Sequence, residues 1–213
     1  MKALTVKQPW ASLIIEGIKI DEDILFKNIE NRTWRTNYRG RVMIHAAAAS
    51  WTWRKFIKYL YDIIPLLYTV FPETRLWLES LPAGKIIGSV EMVDCVINHP
   101  SIWAEKSNWY SRAEKNGVPA SRGCKHERKE DNPIYNWVLA NPIRFDKPII
   151  FKGTLSFWES GIEVCQICGQ PADLICASCG EYFCSKHTVR YNQFTQIDYD
   201  CCTNCAPTGP EIE

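Results

Sequence analysis

Seven cysteines and one histidine stand near the end of this 213-residue chain in four pairs, each with a two-residue gap: Cys165 and Cys168, Cys176 and Cys179, Cys184 and His187, Cys202 and Cys205. Two intervening residues let one tight turn aim two soft ligands at a single ion, and eight ligands suffice for two tetrahedral zinc ions. A catalytic zinc needs an open position, and four protein ligands per ion leave none, so the expected role is structural. An interleaved arrangement puts Cys165, Cys168, Cys184 and His187 on one ion and Cys176, Cys179, Cys202 and Cys205 on the other. Sequential pairing is the alternative, and Cys201 has the reach to replace Cys202. Clustered C-x-x-C pairs in a reducing compartment read as metal ligands rather than disulfides. With fewer than fifty residues the segment buries little core, so metal would supply its folding energy.

The second concentration of chemistry lies between Gln8 and Ala48, where Lys19, Glu30, Arg32, Trp34, Arg35, Tyr38, Arg39 and Arg41 crowd into a short stretch. Core-building segments rarely carry so many charged and aromatic groups together. A lysine and a glutamate at one mouth admit three readings. The plainest is a surface ion pair, worth little. In a binding reading, Lys7, Lys19, Arg32, Arg39 and Arg41 meet phosphates, Glu30 accepts from a base amino group and Trp34 stacks on a base. In a catalytic reading, Lys19 is desolvated so that its amine attacks an amide carbonyl, and Glu30 shuttles protons.

The elements that would position these groups follow from periodicity. Ala3–Val6 alternates as a short strand, and Trp10, Leu13 and Ile14 form the stripe of a short helix begun by Pro9 and ended by Gly17. Residues 20–27 read as an inserted loop. Ile29–Trp34 and Arg41–Ala46 read as strands around the turn Asn37-Tyr-Arg-Gly40. A helix is expected from Trp51 to Leu67, and a short one from Glu73 to Leu81. Gly84–Val96 is a long β run, Tyr135–Leu139 a strand, Asn141–Pro148 a punctuated connection in which Pro148 bars a central strand, and Phe151–Trp158 a last strand. Between them a polar segment, 98–132, carries eight basic residues from Lys106 to Lys129 with Trp103, Trp109 and Tyr110 interleaved. It reads equally as a solvated loop or a nucleic-acid contact. His45 reads as a core histidine. Many short strands with few helices predict an α+β fold built on a small, partly closed β-barrel.

Composition sets the limits. Apolar content of 46% and charged content of 23% are those of a soluble globular protein. No stretch resembles a signal peptide or a membrane span, which places the chain in the cytoplasm, intracellular and soluble. The net charge of +1 hides an asymmetry: residues 161–213 hold two cations against seven anions, and residues 1–160 hold 23 cations against 17 anions. A basic first domain, 1–160, suits a polyanion, and an acidic second one, 161–213, suits a protein partner.

Residues 2–160 resemble the ASCH domain, a member of the PUA-like superfamily. The residues that carry the resemblance are Lys7-Gln-Pro-Trp-Ala-Ser12, Gly17-Ile-Lys19, Glu30-Asn-Arg-Thr-Trp34 and Tyr38-Arg-Gly-Arg41, followed by Gly84–Cys95, Asn136–Pro142 and Pro148–Gly153. The resemblance implies a β-barrel with flanking helices and a cleft for RNA, DNA or a modified nucleoside. The family signature, G-x-K-x-x-E or a near variant, is met literally by Gly17, Lys19 and Glu22. We favour Lys19 with Glu30, residues 20–27 being inserted between them. Some small bacterial relatives remove an acyl group from acetylated cytidine, but they pair the lysine with a threonine just downstream, and Ile20–Phe26 holds none. The cysteine pattern resembles the cross-brace of RING, FYVE and B-box modules. The expectation is therefore a nucleic-acid-binding protein, RNA favoured, with a two-zinc module for a second contact. The rivals are a nucleoside amidohydrolase using Lys19 and Glu30, and an interaction adaptor working through the zinc module.

Overall fold

The structure, a computed structural model, describes residues 1–20, 22–50, 77, 79–107, 133–192 and 198–205. The helix expected from Trp51 to Leu67, most of the one expected from Glu73 to Leu81, and the basic segment beyond residue 107 lie outside the described residues.

Six strands build one sheet: β1 (Lys2–Gln8), β4 (Ile29–Arg32), β5 (Gly40–Ser50), β6 (Lys85–Ile97), β7 (Tyr135–Ile150) and β8 (Phe157–Glu159). Their order is β4-β7-β6-β5-β1-β8, with β1 and β5 parallel and every other pair antiparallel. The backbone ladder stops at β4 and at β8, so among the described residues it is open. Side chains nevertheless join its two ends. Arg32 Nη2, on β4, donates to the Thr5 carbonyl of β1 at 3.1 Å. Trp137 of β7 stacks on Phe157 of β8 with ring centroids 5.1 Å apart. The expected partly closed barrel is thus a curled sheet whose seam is closed by an arginine and two aromatic rings.

Inside the curl, Leu4, Val6, Val42, Ile44, Ile87, Val90, Met92 and Trp137 form the main core. The helix α1 (Trp10–Ile15) plugs one end of it and buries every residue from Ala11 to Ile15. A helix so enclosed shows no single apolar stripe, which is why its sequence reads as more than the Trp10, Leu13, Ile14 set. The Gln8 carboxamide caps it, accepting from the Ser12 N–H at 3.1 Å. Gly17 then turns the chain at φ +69°, and a Cβ there would lie 2.6 Å from Ile24 Cγ2.

Three expectations need correction, the first being the last strand: it is not Phe151–Trp158 but the shorter β8, Phe157–Glu159. Residues 20–27 are not simply a loop: β2 (Ile18–Ile20) and β3 (Asp23–Leu25) pair as a small hairpin. Asn141–Pro148 is not a connection but the middle of β7. From Leu139 onward β7 pairs only with β6, so the prolines face an unladdered edge and cost no sheet hydrogen bond. Pro148 also falls in a bulge, where the register jumps from Gly88↔Arg144 to Ile86↔Ile149 and Phe145 turns its side chain into the core.

Beyond β8 the chain forms two short hairpins, β9 (Leu174–Ile175) with β10 (Tyr182–Phe183), and β11 (Thr188–Asn192) with β12 (Asp198–Cys202). A 3-10 turn, Ser185–His187, lies between them. This segment packs on the sheet. Val164 joins Ala3, Met43, Ile86 and Phe145 in a shared apolar cluster. The Gln170 carboxamide accepts from the Asp146 N–H at 2.9 Å and donates to the Arg144 carbonyl at 2.7 Å, so one side chain imitates a strand partner on the free edge of β7. No described helix is long and apolar enough to cross a membrane.

Candidate nucleic-acid interface and metal sites

The hairpin β2–β3 leaves α1 and returns to it: the Lys27 N–H donates to the Leu13 carbonyl at 2.9 Å. Lys27 therefore stands where the chain would have been without the excursion. Its side chain is only 4% exposed, and its Nζ lies 3.0 Å from Glu30 Oε2. The same ammonium donates to the Ile29 carbonyl and sits over the Trp10 ring, 5.9 Å from its centroid. The other carboxylate oxygen of Glu30 meets Arg32 Nη2 at 3.1 Å. The Arg32 guanidinium in turn lies over the Trp137 ring at 5.8 Å, and its Nε–H is buried without an acceptor among the described residues. One carboxylate thus binds two cations, each braced by a tryptophan.

Lys19, expected to meet Glu30, is instead exposed on β2, and the lysine that meets Glu30 is Lys27. An amine nucleophile needs desolvation, which an exposed lysine lacks. Lys7 is likewise exposed on β1. Arg39, just before β5, binds Asp94 of β6 at 2.8 Å, and Arg41 of β5 reaches Glu91, Ser89 and the Asn141 carbonyl, bracing β5 against β6 and β7. Trp34 is 38% exposed and stands edge-on to Trp137, ring centroids 4.5 Å apart, beside Phe157. Among the expected residues, then, the fold brings Glu30, Arg32 and Trp34 together. Lys27 is the residue the sequence reading passed over. Its signal was present, since Lys27-Asn-Ile-Glu30 keeps the K-x-x-E half of the signature on the far side of the hairpin.

His45 is a core histidine with both ring nitrogens engaged: Nδ1 is 3.3 Å from the Thr5 hydroxyl and Nε2 is 3.0 Å from the Phe151 carbonyl. Burial lowers its pKa from the ordinary value, and the contact with Phe151 opposes that only in part.

In the C-terminal segment two groups of ligand atoms converge, each within 4.8 Å: Cys165, Cys168, Cys184 and His187 in one, Cys176, Cys179, Cys202 and Cys205 in the other. This is the interleaved grouping rather than the sequential one. Cys201 belongs to neither group, its sulfur lying 3.3 Å from the Ser178 hydroxyl. The surroundings favour thiolate at one cysteine of each group and oppose it at others, burial pushing the Cys168 thiol up to about 11 and the neighbouring Cys202 and Cys179 sulfurs pushing Cys205 up to about 12. The Cys202 N–H donates to Cys176 Sγ at 3.3 Å and is the chief cause holding that thiol down to about 6. Burial pushes the Cys165 thiol up, but the backbone N–H groups of Cys168, Cys184 and Ile167 outweigh it and bring it to about 6. Such donor sets, soft and four to a group, fit tetrahedral metal ions.

Fold and sites together define a class: a curled mixed sheet plugged by one helix, carrying a cysteine-rich segment able to hold two metal ions. The family model of the ASCH domain matches residues 4–149. The chain belongs to the ASCH domain family. It is similar to Activating signal cointegrator 1 of Homo sapiens, 32% identical over 95 residues, and to that of Mus musculus, 30% identical over 95 residues. Each match covers 44% of this chain and 14% of the relative.

Proposed function

We propose that the ASCH domain binds single-stranded nucleic acid, RNA favoured, and that the C-terminal module holds two structural zinc ions, leaving its outward surface for a second contact. The observation that carries the first part is the arginine–tryptophan pair at the seam. Arg32 is oriented by Glu30 and by Trp137, keeps about a quarter of its side chain (24%) exposed, and lies in the same cluster as the partly exposed Trp34. A partly exposed guanidinium beside an aromatic face suits a phosphate or base acceptor next to a stacked base. Lys7 and Lys19, exposed on β1 and β2, supply charge toward the backbone of such a ligand. Amide hydrolysis has weaker support, because the buried Lys27 ammonium already donates to Glu30 and to the Ile29 carbonyl.

The test is anisotropy titration of a labelled single-stranded RNA against the protein over a range of salt. Affinity should fall steeply with salt, and Arg32→Gln should reduce the slope by about one unit. Trp34→Ala should cost roughly 1–3 kcal/mol of binding if a base stacks there. A Trp34→Ala variant with a lowered melting temperature and unchanged affinity would make Trp34 a packing residue only. Undetectable RNA binding at low salt would remove the reading, and acetate release from acetylated cytidine by the intact protein would replace it with the hydrolase.

A further inference from the structure

The metal-binding segment has two kinds of surface. One is consumed by the sheet: Val164 is in the shared cluster, Gln170 pairs with the edge of β7, Lys186 binds Asp146 at 3.0 Å, and Glu163 binds the Met1 amine at 2.6 Å. The other is the outer face of the β9–β10 hairpin. There Ile175 and Tyr182 are directly paired across the strands and are 56% and 38% exposed, while their neighbours Leu174 and Phe183 form the second cross-strand pair, with Phe183 turned inward. The Gln166 N–H donates to the Tyr182 carbonyl at 3.1 Å, which brings the exposed Ile167 of the first knuckle to the same hairpin.

Two carboxylates frame this apolar face, Asp173 two residues before Ile175 and Glu181 next to Tyr182. Both are exposed and have no partner among the described residues, unlike Glu163 and Asp146. Asp173 also lines an open hollow of about 420 Å³ between the hairpin and β7, whose walls include Ile149, Pro171, Lys147 and the Asp146–Lys186 pair, so that Asp173 shares the lining with Lys147, the other charge there unpaired among the described residues. The apolar face, the free carboxylates and the hollow are therefore contiguous through Asp173.

Charge decides the occupant. The segment 161–213 carries two cations against seven anions before its thiols are counted. A divalent ion among three thiolates and a neutral imidazole leaves one negative charge, and among four thiolates it leaves two. Metal loading thus makes the segment more acidic, not less. Nucleic acid would be repelled from it. We infer that the face formed by Ile175, Tyr182 and Asp173 docks a basic segment of a partner protein, one that sets apolar side chains on Ile175 and Tyr182. A long basic side chain of the same segment lays its stem along Ile149 and Pro171 in the hollow and brings its charge to Asp173. The partner is recognised by this alternation of basic and apolar residues.

The experiment uses the zinc-loaded full chain and three pools of short fluorescent peptides: basic with aliphatic and aromatic residues, basic with serine in place of the apolar residues, and acidic with the apolar residues kept. Anisotropy should show binding to the first pool alone, weakening with salt. The Ile175→Ser, Tyr182→Ser, Asp173→Lys triple variant should weaken it by about tenfold or more. All three residues are exposed, so metal content, melting temperature and RNA affinity should match the unaltered protein, which separates this surface from the RNA-binding one. Equal binding by the triple variant would overturn the assignment. So would binding of the serine pool as tight as that of the first, since the apolar face would then be idle. Loss of RNA affinity in the variant would make the face a nucleic-acid contact instead, and loss of self-association without any effect on peptides would make it a contact between two copies of the chain.

Discussion

Glu30→Gln keeps the shape of the side chain at the seam and removes its charge. The cost follows from what surrounds it. Lys27 Nζ is 3.0 Å away on a side chain only 4% exposed, so it cannot turn to water when its partner is neutralised. Arg32 is more open, with a side chain 24% exposed, and recovers part of its loss by hydration. Breaking a buried pair by removing one partner costs about 3–5 kcal/mol, and the hydrated arginine argues for the low end, about 3 kcal/mol. For a domain of this size that corresponds to a fall in melting temperature of roughly 6–12 °C. Urea and thermal denaturation followed by tryptophan fluorescence would read it, since Trp10 and Trp137 stand over the two cations. Removing the stranded charge as well, in Lys27→Met with Glu30→Gln, should return about 2 kcal/mol, a coupling that independent sites would not show. A loss below about 0.5 kcal/mol in Glu30→Gln, typical of surface changes, would refute the reasoning and reduce the triad to an incidental ion pair.

Three further outcomes are expected. Purified protein should carry about two zinc ions per chain by elemental analysis, as two sets of four ligands require, and chelation should abolish hydrogen-exchange protection in residues 163–205 while the sheet core keeps its own; one ion or none would defeat the two-site grouping. His45 titrates below its usual range in the folded state because it is buried. Its contribution to stability is therefore full above the ordinary histidine value and is lost as pH falls through the depressed one, so denaturation midpoints should drop from pH 7.5 to pH 5 and drop less in His45→Phe. In the same place, a Cβ at Gly153 would press against the His45 ring at Cε1 and Nδ1. Gly153→Ala should cost about 1–3 kcal/mol by overpacking, and the cost should largely disappear in a His45→Ala background.

How far the sequence could be read depended on whether the cause was local. The two groups of candidate metal ligands were legible because a C-x-x-C turn fixes its own geometry, and only the pairing between turns needed the fold. The long strands β6 and β7 were legible as apolar runs, but the proline-bearing half of β7 was not, since its tolerance comes from having a ladder on one side only. Lys27 was hidden by a hairpin. Counting from Gly17 leads to Lys19, and nothing in residues 18–25 says that the chain folds back to place Lys27 against Leu13. The engagement of Arg39 and Arg41 was equally invisible, because Asp94 and Glu91 lie about fifty residues away on β6. Trp34, expected as a stacking platform, is also part of the packing: its edge meets Trp137 while more than a third of it stays open.

The order of strands in the sheet also fixes when the domain can form during synthesis. β1 leaves the ribosome before the other strands of the sheet, yet its neighbours are β5 and β8, and β8 ends at Glu159. β4 waits for β7, with Glu30 opposite Trp137. Until that late half of the chain emerges, β1 has at most one of its two neighbours, β4 has no ladder, and the Lys27, Glu30, Arg32 triad has no tryptophan wall on the β7 side. Pairing across such separations is slow and leaves apolar strands uncovered meanwhile. A truncation anywhere before β7 should therefore yield an insoluble chain rather than a smaller functional one.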